Sequence, residues 1–184
     1  MRKYHRALKG CTECGPYGKH FSLITYRIFI TCFLVSQSLA NILVHLVFST
    51  KNRTAWIADN WRDDLHGYIG GIIRRHGSDL LAAGSVEDHI HLMFPMPRTV
   101  SVSELVREIK SGSTRWVHDS TSRPQDFRWQ SGYGIFSLSP SHKEAVEKYI
   151  ASQREHHKTT TFQEEYRKLL AKYGLAHDEK YVWD

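Results

Sequence analysis

The sequence predicts an α+β domain with a ferredoxin-like, split β-α-β plan, in which an antiparallel sheet carries helices on one face and a helical tail follows. Three observations predict it. Some short apolar segments place alternate residues on one face, as strands do, and longer segments repeat apolar residues every three or four positions, as helices do. These segments follow one another in the order β-α-β-β-α-β, and two further helical segments come after them.

The first strand and the first helix open the predicted domain. Residues 41–50, NILVHLVFST, predict a strand with Leu43, His45 and Val47 on one face. Residues 59–77 predict a helix, with Asp59 as its N-cap and Gly77 as its stop. Residues 79–86 then predict the second strand.

A hairpin and a second helix follow. The second strand turns tightly at Gly84-Ser85 into a third strand over residues 87–96. Residues 101–120 predict the second helix, because Ser101 and Glu104 have the spacing of a capping box and apolar residues supply one face.

The last predicted strand leads into the helical tail. Residues 127–140 are an aromatic strand region interrupted by glycines. Residues 139–157 predict a third helix, with Ser141 and Glu144 as its capping box. Residues 161–174 predict a fourth helix with an apolar stripe along one side.

The first 35 residues differ in composition from the rest of the chain. The chain has 25 Lys or Arg and 19 Asp or Glu, a formal net charge of +6, but residues 1–35 hold six of the basic residues and one acid. Residues 36–184 are therefore nearly balanced, so an argument for nucleic-acid binding must rest on a local patch. We expect residues 1–35 to be a non-native or disordered extension, with Val35 as the true start, encoded by GTG. Residues 36–184 then form the domain.

Cysteine usage and hydropathy indicate the compartment. All three cysteines, including the Cys11-x-x-Cys14 pair, precede residue 35, so the main body has no disulfide and fits a reducing cytoplasm. The pair could be half of a zinc site or a redox pair, but we interpret it as incidental because no second pair follows. Residues 28–50 lack charged side chains and could suggest a membrane span or a signal peptide. Polar residues interrupt the run, so we expect no membrane partner.

Two histidines stand one residue apart in EDHIHLMF, residues 87–94. His89 and His91 point to the same face of a strand, and neutral imidazole is the commonest metal ligand in proteins. Tyr149 and Gln153 lie four apart on a predicted helix and share a face, where a tyrosine can attack a phosphodiester and an amide oxygen can bind a hard cation. Each feature alone is also compatible with ordinary packing, because a single strand histidine or helix tyrosine is usually a core residue.

Taken in order, these segments resemble a known family. His89-Ile90-His91 is similar to the HUH motif, two histidines around a hydrophobic residue. Tyr149, on the helical tail, resembles the single catalytic tyrosine of the small insertion-sequence (IS200-like) transposases and of their relatives associated with repetitive extragenic palindromes. The resemblance also includes the segments VHLVFSTKNR, WQSGYGIFSLS and YIASQREHH.

The resemblance implies a transposase that acts as a homodimer with composite active sites on single-stranded DNA carrying hairpins near element ends. It implies Mg²⁺ or Mn²⁺ held by His89, His91 and Gln153. Tyr149 would attack the phosphate, stay joined to the 5′ end and release a 3′-OH, which later attacks a phosphotyrosine to rejoin strands. The neighbouring His156-His157 pair could assist the metal or a phosphate, or cap the helix. A bacterial cytoplasmic protein, associated with the nucleoid when it acts, is the expected setting.

Basic and aromatic residues around the second helix and the last strand are candidate DNA contacts. They are Lys110, Arg115, Arg128, Trp129 and Tyr133. Three functions remain open: an active transposase, a domesticated nickase acting on repetitive palindromes, and a non-enzymatic ferredoxin-like nucleic-acid-binding module. We rank the last one lowest, because SGYGIFSLS lacks the leading base and final aromatic of an RNA-recognition strand and the histidine pair would have no explanation.

Overall fold

The computed structural model describes residues 39–183. Its four strands are β1 (Leu43–Ser49), β2 (Ala82–Ser85), β3 (His89–Pro95) and β4 (Gly134–Leu138). They form an antiparallel sheet in the spatial order β2-β3-β1-β4. This is the order of the split β-α-β plan, so the predicted α+β, ferredoxin-like fold is confirmed. The expected extension over residues 1–35 and the start at Val35 lie outside the described residues.

Helices cover both faces of the sheet. They are α1 (Asp59–Arg75), α2 (Val102–His118), α3 (Lys143–Ala151), α4 (Gln153–His156) and α5 (Phe162–Lys172). The helices α1 and α2 connect strands and pack together on one face, whereas α3, α4 and α5 follow β4 and pack against the other. Between residues 39 and 183, every helix is too short or too polar to span a bilayer.

Successive residues of β3 serve opposite faces of the sheet, as the pleat of a strand requires. Ile90, Leu92 and Phe94 lie in the large apolar cluster beneath α1 and α2, and all three are fully buried. His89 and His91 point the other way, beneath the helical tail, and are buried as completely. The histidine pair therefore lies inside the protein, between the sheet and the last helices.

The predicted start of α2 is confirmed, whereas the predicted cap of α1 is not. The capping box of α2 is confirmed, because Ser101 Oγ accepts from the Glu104 N–H (3.3 Å) and the Glu104 carboxylate accepts from the Ser101 N–H (3.1 Å). The N-cap predicted for α1 is wrong by one residue, because Ala58 is the cap and Asp59 is the first helical residue. The Asp59 carboxylate pairs with Arg62 instead.

The helix predicted over residues 139–157 is divided into three parts. A short 3₁₀ turn over Pro140–His142 precedes α3, and the chain leaves the helical conformation at Ser152 before α4 begins. The predicted capping box at Ser141 is wrong, since His142 is the N-cap of α3 and Ser141 Oγ hydrogen-bonds Ser139 Oγ (2.8 Å).

The backbones of the sheet and of α3 come into close contact at Gly84 of β2. A Cβ atom at that position would collide with the carbonyl oxygen of Ile150. Glycine permits this contact because it has no side chain. Gly84 is the register partner of His91, so the close approach brings Tyr149, the neighbour of Ile150, to within a 5.9 Å ring-centroid distance of His91.

Candidate metal centre and active site

His89 and His91 are each held by a second polar side chain. His89 Nδ1 donates to Asp88 Oδ1 (2.6 Å), and His91 Nδ1 shares a hydrogen bond with His45 Nε2 (2.9 Å). An ionised carboxylate only accepts hydrogen bonds, so His89 carries its proton on Nδ1 and leaves the Nε2 lone pair for another partner. Within residues 39–183, the Nε2 atoms of His89 and His91 have no hydrogen-bond partner.

Glu165 brings a carboxylate to the same place from α5, and its side chain is 3% exposed. Its Oε2 lies 3.0 Å from His157 Nε2, 3.3 Å from His91 Nε2 and 3.6 Å from His89 Nε2. Burial of a carboxylate is costly unless charged or hydrogen-bonding groups surround it. Four side chains from β3, the end of α4 and α5 thus converge on one point.

These four side chains form a group that could hold a metal ion. One ligand atom each from His89, His91, His157 and Glu165 lies within 4.8 Å of the others. Imidazole nitrogen and carboxylate oxygen are both ligands of divalent cations. In the described part of the chain, the buried side-chain atoms that lack a hydrogen-bond partner include Nε2 of both β3 histidines and Gln153 Oε1. The residues therefore fit a divalent metal ion.

The charge states of the cluster agree with metal binding. Burial lowers the pKa of His91 to about 4, so this imidazole is neutral at pH 7. Burial alone would raise the pKa of Glu165, but the hydrogen bonds from His157 and Tyr149 and the nearby His91 imidazole outweigh that effect and hold the pKa below its usual range. A neutral imidazole and an ionised carboxylate are the forms that bind a metal ion.

Tyr149 lies against the histidines of its own chain. Its hydroxyl donates a hydrogen bond to Glu165 Oε1, and its ring meets the His91 and His45 rings edge-on. Burial, together with the Glu165 charge, raises the pKa of Tyr149 well above its ordinary value. A protonated phenol is a weak nucleophile, and a cation beside Glu165 would offset the carboxylate charge. The structure thus brings the predicted tyrosine and the predicted histidines together.

Gln153, predicted as a metal ligand, is buried at the start of α4. Its Nε2 donates to Glu165 Oε1 (3.0 Å), so the amide presents a hydrogen-bond donor to the carboxylate. His156 Nε2 lies farther away, 3.9 Å from the same oxygen. Tyr149 and Gln153 therefore meet at Glu165 although the helix is interrupted between them at Ser152.

Glu165 was missed by the sequence reasoning, although the sequence carries a signal for it. It lies three residues after Phe162 and four before Leu169, on the apolar stripe of α5. An acidic residue on the buried face of an amphipathic helix is rare unless it has a partner. The position of Glu165 on that stripe indicates a buried polar site, but its distance along the chain from the histidines conceals which one.

Four of the five residues predicted to bind DNA line one shallow groove of about 500 Å³ along the C-terminal half of α2. The groove is lined by Lys110, Arg115, Arg128 and Trp129, among others. The bridge between Thr50 and Trp129 places it beside the end of β1, where Ser49 pairs with His89. Arg115 and Arg128 are exposed. The groove therefore lies at the His89 end of the sheet.

The other three predicted DNA contacts have roles within the fold. The Lys110 ammonium donates to the carbonyl oxygens of Gln130 (2.9 Å) and Gly132 (2.6 Å), and burial lowers its pKa to about 8. Trp129 is only 8% exposed in the apolar core, so its ring face is not available to stack on an unpaired base. Tyr133 is partly buried, with Lys110 over its ring.

Comparisons with known proteins agree with this fold. The curated ISDra2 transposase TnpA of Deinococcus radiodurans is 22% identical over 116 residues, which cover 60% of this chain and 83% of that protein. A crystal structure from Deinococcus radiodurans described as a transposase is similar with a TM-score of 0.51 at 21% identity, covering 63% of this chain and 93% of that one. A structure of a REP-associated tyrosine transposase bound to a REP hairpin is similar with a TM-score of 0.51 at 16% identity, covering 65% and 70%.

The family model described as "Transposase IS200 like" matches residues 38–153. The match includes both β3 histidines, Tyr149 and Gln153, and it stops before His157 and Glu165. It spans more than half of the chain. This chain therefore belongs to the IS200-like transposase family.

Proposed function

We propose that this protein cuts and rejoins single-stranded DNA at hairpin-marked element ends through a covalent phosphotyrosine on Tyr149. One observation carries the proposal. The Tyr149 hydroxyl and the histidine pair meet at the same buried carboxylate, Glu165. A tyrosine that served only to pack the core would not need to direct its hydroxyl at a group of metal-binding side chains. A nucleophile beside a cation site is what phosphoryl transfer without nucleotide hydrolysis needs.

The reaction has two transesterification steps. In the first, the Tyr149 oxygen forms a bond to the scissile phosphorus and the bond from phosphorus to the 3′ oxygen breaks. The phenol loses a proton and the departing 3′ oxygen gains one, which leaves a 5′-phosphotyrosine and a free 3′-OH. In the second, a 3′-OH attacks the phosphotyrosine and the tyrosine leaves with a proton. One phosphodiester replaces another in each step, so no external energy source is required.

The cofactor in this proposal is Mg²⁺ or Mn²⁺, held by His89, His91 and Gln153. When bound, such an ion polarises the scissile phosphate and stabilises the departing oxygen. The protein's own groups prepare the site. Asp88 hydrogen-bonds His89 and so orients its imidazole, and Glu165 holds the Tyr149 hydroxyl beside the histidines.

A cavity of about 510 Å³ beside Tyr149 suits an incoming strand. Lys168, Lys172 and His142 lie along its walls, and all three are exposed. Cationic side chains at the mouth of a groove attract the phosphodiester backbone of single-stranded DNA. We propose that the strand to be cut enters here.

The hairpin would bind at the groove of α2, at the His89 end of the sheet. In that groove Arg115 and Arg128 would contact phosphates, while Lys110, Trp129 and Tyr133 would maintain its shape. The similarity to a structure bound to a REP hairpin supports hairpin DNA as the partner.

The proposal includes a homodimer, and a mixing experiment distinguishes the two ways of building its sites. In the structure, Tyr149 reaches the histidines of its own chain, so each chain can hold a full set. In composite sites the tyrosine helix would serve the partner's histidines. Mixing Tyr149→Phe protein with His91→Gln protein would restore cleavage only if the sites are composite. Sedimentation analysis of the wild type measures the dimer itself.

A domesticated nickase remains the second candidate, because one structural relative is a REP-associated transposase. It would use the same residues on repetitive palindromes and would cut without moving an element. A non-enzymatic binding module would leave the arrangement of Tyr149 and Glu165 without a purpose. The proposed setting for either enzyme is the bacterial cytoplasm, at the nucleoid when acting.

A denaturing gel tests the proposal. Fluorescent single-stranded DNA from the native flanking sequence, with its hairpin, is incubated with protein and Mg²⁺ or Mn²⁺. We expect a covalent protein–DNA band that disappears with EDTA and with Tyr149→Phe. The matched control is Tyr181→Phe, which changes an exposed tyrosine and should leave the band unchanged. A band that persists in Tyr149→Phe would reject Tyr149 as the nucleophile.

A further inference from the structure

The candidate metal-binding group extends beyond the segment that the family model matches. We infer that the ligands are His89, His91, His157 and Glu165, and that this set selects a transition-metal ion such as Mn²⁺ over Mg²⁺. The inference rests on the proposed function and replaces its smaller ligand set. His157 and Glu165 lie beyond residues 38–153, so the C-terminal helices would complete the active site as well as cover it.

The anchoring of His157 repeats that of the β3 histidines. Its Nδ1 donates to the backbone carbonyl of Thr160 (2.7 Å), and its Nε2 faces the Glu165 carboxylate. His89 and His91 are likewise held through Nδ1, with Nε2 toward the same oxygen. Metal-binding histidines are commonly oriented by such an outer hydrogen bond on the second ring nitrogen. Three imidazoles anchored separately and aimed at one point are a preorganised ligand set.

Electrostatics at that point favour a cation. Glu165 Oε2 is an acceptor, and it faces nitrogens of three histidines at 3.0 to 3.6 Å. His157 Nε2 hydrogen-bonds this oxygen, whereas the buried Nε2 atoms of His89 and His91 have no hydrogen-bond partner among the described residues. One divalent cation among the four atoms would give both of these nitrogens a partner and would neutralise the buried carboxylate.

The Gln153 amide has a different role in this arrangement. Its NH₂ group faces Glu165 Oε1 at 3.0 Å, and Tyr149 donates to the same oxygen. Oε1 is therefore occupied by two donors, while Oε2 is directed to the histidines. Gln153 thus acts as a positioning residue that holds Glu165 with one oxygen toward the ligand nitrogens.

The donor set decides which ions fit. Mg²⁺ prefers oxygen ligands in a near-octahedral arrangement and keeps several of its waters. Imidazole nitrogen suits the first-row transition metals. Three imidazoles with one carboxylate therefore form a weak site for Mg²⁺ and a much stronger one for Mn²⁺ and the later metals of the series.

Calorimetry on the full chain with Mn²⁺ as the probe tests the inference. We expect the wild type to bind one Mn²⁺ that a hundred-fold excess of Mg²⁺ does not displace. Glu165→Gln and His157→Gln should each weaken binding by about ten-fold or more, as loss of a ligand does. The matched controls are Glu155→Gln and His177→Gln, which change exposed residues of the same types and should keep the wild-type affinity.

The outcomes separate this inference from the proposed function. The inference is overturned if Glu165→Gln and His157→Gln bind Mn²⁺ with wild-type affinity while His89→Gln does not bind it. That result would leave the proposed metal-assisted nuclease intact. The inference is also overturned if Gln153→Leu loses Mn²⁺ affinity while Glu165→Gln keeps it. That result would favour the ligand set of His89, His91 and Gln153. Displacement of Mn²⁺ by an equal concentration of Mg²⁺ overturns the selectivity.

A measurement on the wild type covers the case in which a variant does not fold. Pulsed EPR of bound Mn²⁺ detects the hyperfine coupling of nitrogen nuclei that are bonded directly to the ion, so it separates ligands from neighbours such as His157, whose ring centroid lies 4.3 Å from that of His89. Three coupled imidazole nitrogens, from His89, His91 and His157, are the expected result. Two coupled imidazole nitrogens would overturn the inference. The Tyr149 adduct is measured separately, so its absence would count against the proposed function alone.

Discussion

The two faces of the sheet are built from the same strands, yet they bury opposite kinds of side chain. Ile90, Leu92 and Phe94 of β3 pack into an apolar cluster under α1 and α2. One residue out of phase, His89 and His91 enter a polar cluster under the helical tail. All five are buried, so burial alone does not distinguish packing from chemistry. The pleat of the strand assigns stability to one face and the candidate chemistry to the other.

On the polar face, hydrogen bonds and ionic contacts between side chains hold the histidine pair in place. His45, Asp88 and Glu165 are polar partners of the histidine pair, and each comes from a different part of the chain. Buried polar groups are tolerated when they satisfy one another. We therefore expect a substitution on this face to affect metal binding more than stability, and a truncation on the apolar face to do the reverse.

Phe94→Ala tests the apolar face and carries the largest expected effect on stability. Truncation of a fully buried phenylalanine should lower the free energy of unfolding by about 3–5 kcal/mol, through lost transfer energy and the cavity left behind. Urea denaturation measures it. The protein that remains folded should keep its Mn²⁺ affinity, because Phe94 points away from the ligands.

His91→Gln is the matched change on the polar face of the same strand. It should remove measurable Mn²⁺ binding, while the free energy of unfolding falls by less than in Phe94→Ala. Equal losses of stability in the two variants would break the proposed division between the faces.

Gly84→Ala tests the contact that positions the tyrosine over the polar face. The new methyl group would collide with the Ile150 carbonyl, so α3 must shift. We expect a loss of about 1–3 kcal/mol in the free energy of unfolding, typical of overpacking, together with a larger fractional loss of the covalent DNA adduct. The matched control is Gly67→Ala in α1, where a Cβ atom meets nothing within 4 Å and helix propensity should improve stability slightly. Normal adduct formation by Gly84→Ala would contradict the positioning role.

His66→Gln gives the smallest effect and tests a half-buried histidine outside the polar face. Burial lowers the pKa of His66 to about 4, and its Nε2 hydrogen-bonds Ser85 Oγ (2.9 Å). Between pH 6.5 and about 4 the unfolded chain binds a proton at this residue and the folded chain does not. The free energy of unfolding therefore decreases as the pH is lowered through that window. When the pH is lowered from 7 to 5, the free energy of unfolding of the variant should decrease by roughly 1–2 kcal/mol less than that of the wild type. Identical pH profiles of unfolding would show that His66 does not titrate in this way.

The fold was predictable because its signals are local. The short apolar strand segments, the helix periodicity and the Ser101 capping box are all local patterns, and the structure confirms them. The position of Trp129 could not be predicted, since an aromatic residue beside an arginine suits a stacking surface or a core. The break at Ser152 was also missed, because no Gly or Pro marks a helix end there and Gln153 keeps the four-residue spacing from Tyr149.

The candidate site was half predictable for the same reason. His89 and His91 are separated by only one residue in the sequence, and Tyr149 resembles the catalytic tyrosine of a known family. Glu165 is more than seventy residues from the histidines, and only the packing of α5 brings it to them. A contact between distant segments leaves no periodic signal in either segment, so the sequence offered only an acid on an apolar stripe.

The central claim is that the polar face of the sheet is a nuclease site with Tyr149 as its nucleophile. The most direct measurement is mass spectrometry of the covalent adduct, after digestion of the protein with trypsin and of the DNA with nuclease. The account predicts a nucleotide joined through its 5′ phosphate to the peptide that contains Tyr149, and only in reactions that include Mn²⁺ or Mg²⁺. A nucleotide attached to any other residue, or an adduct that forms equally well in EDTA, would contradict it.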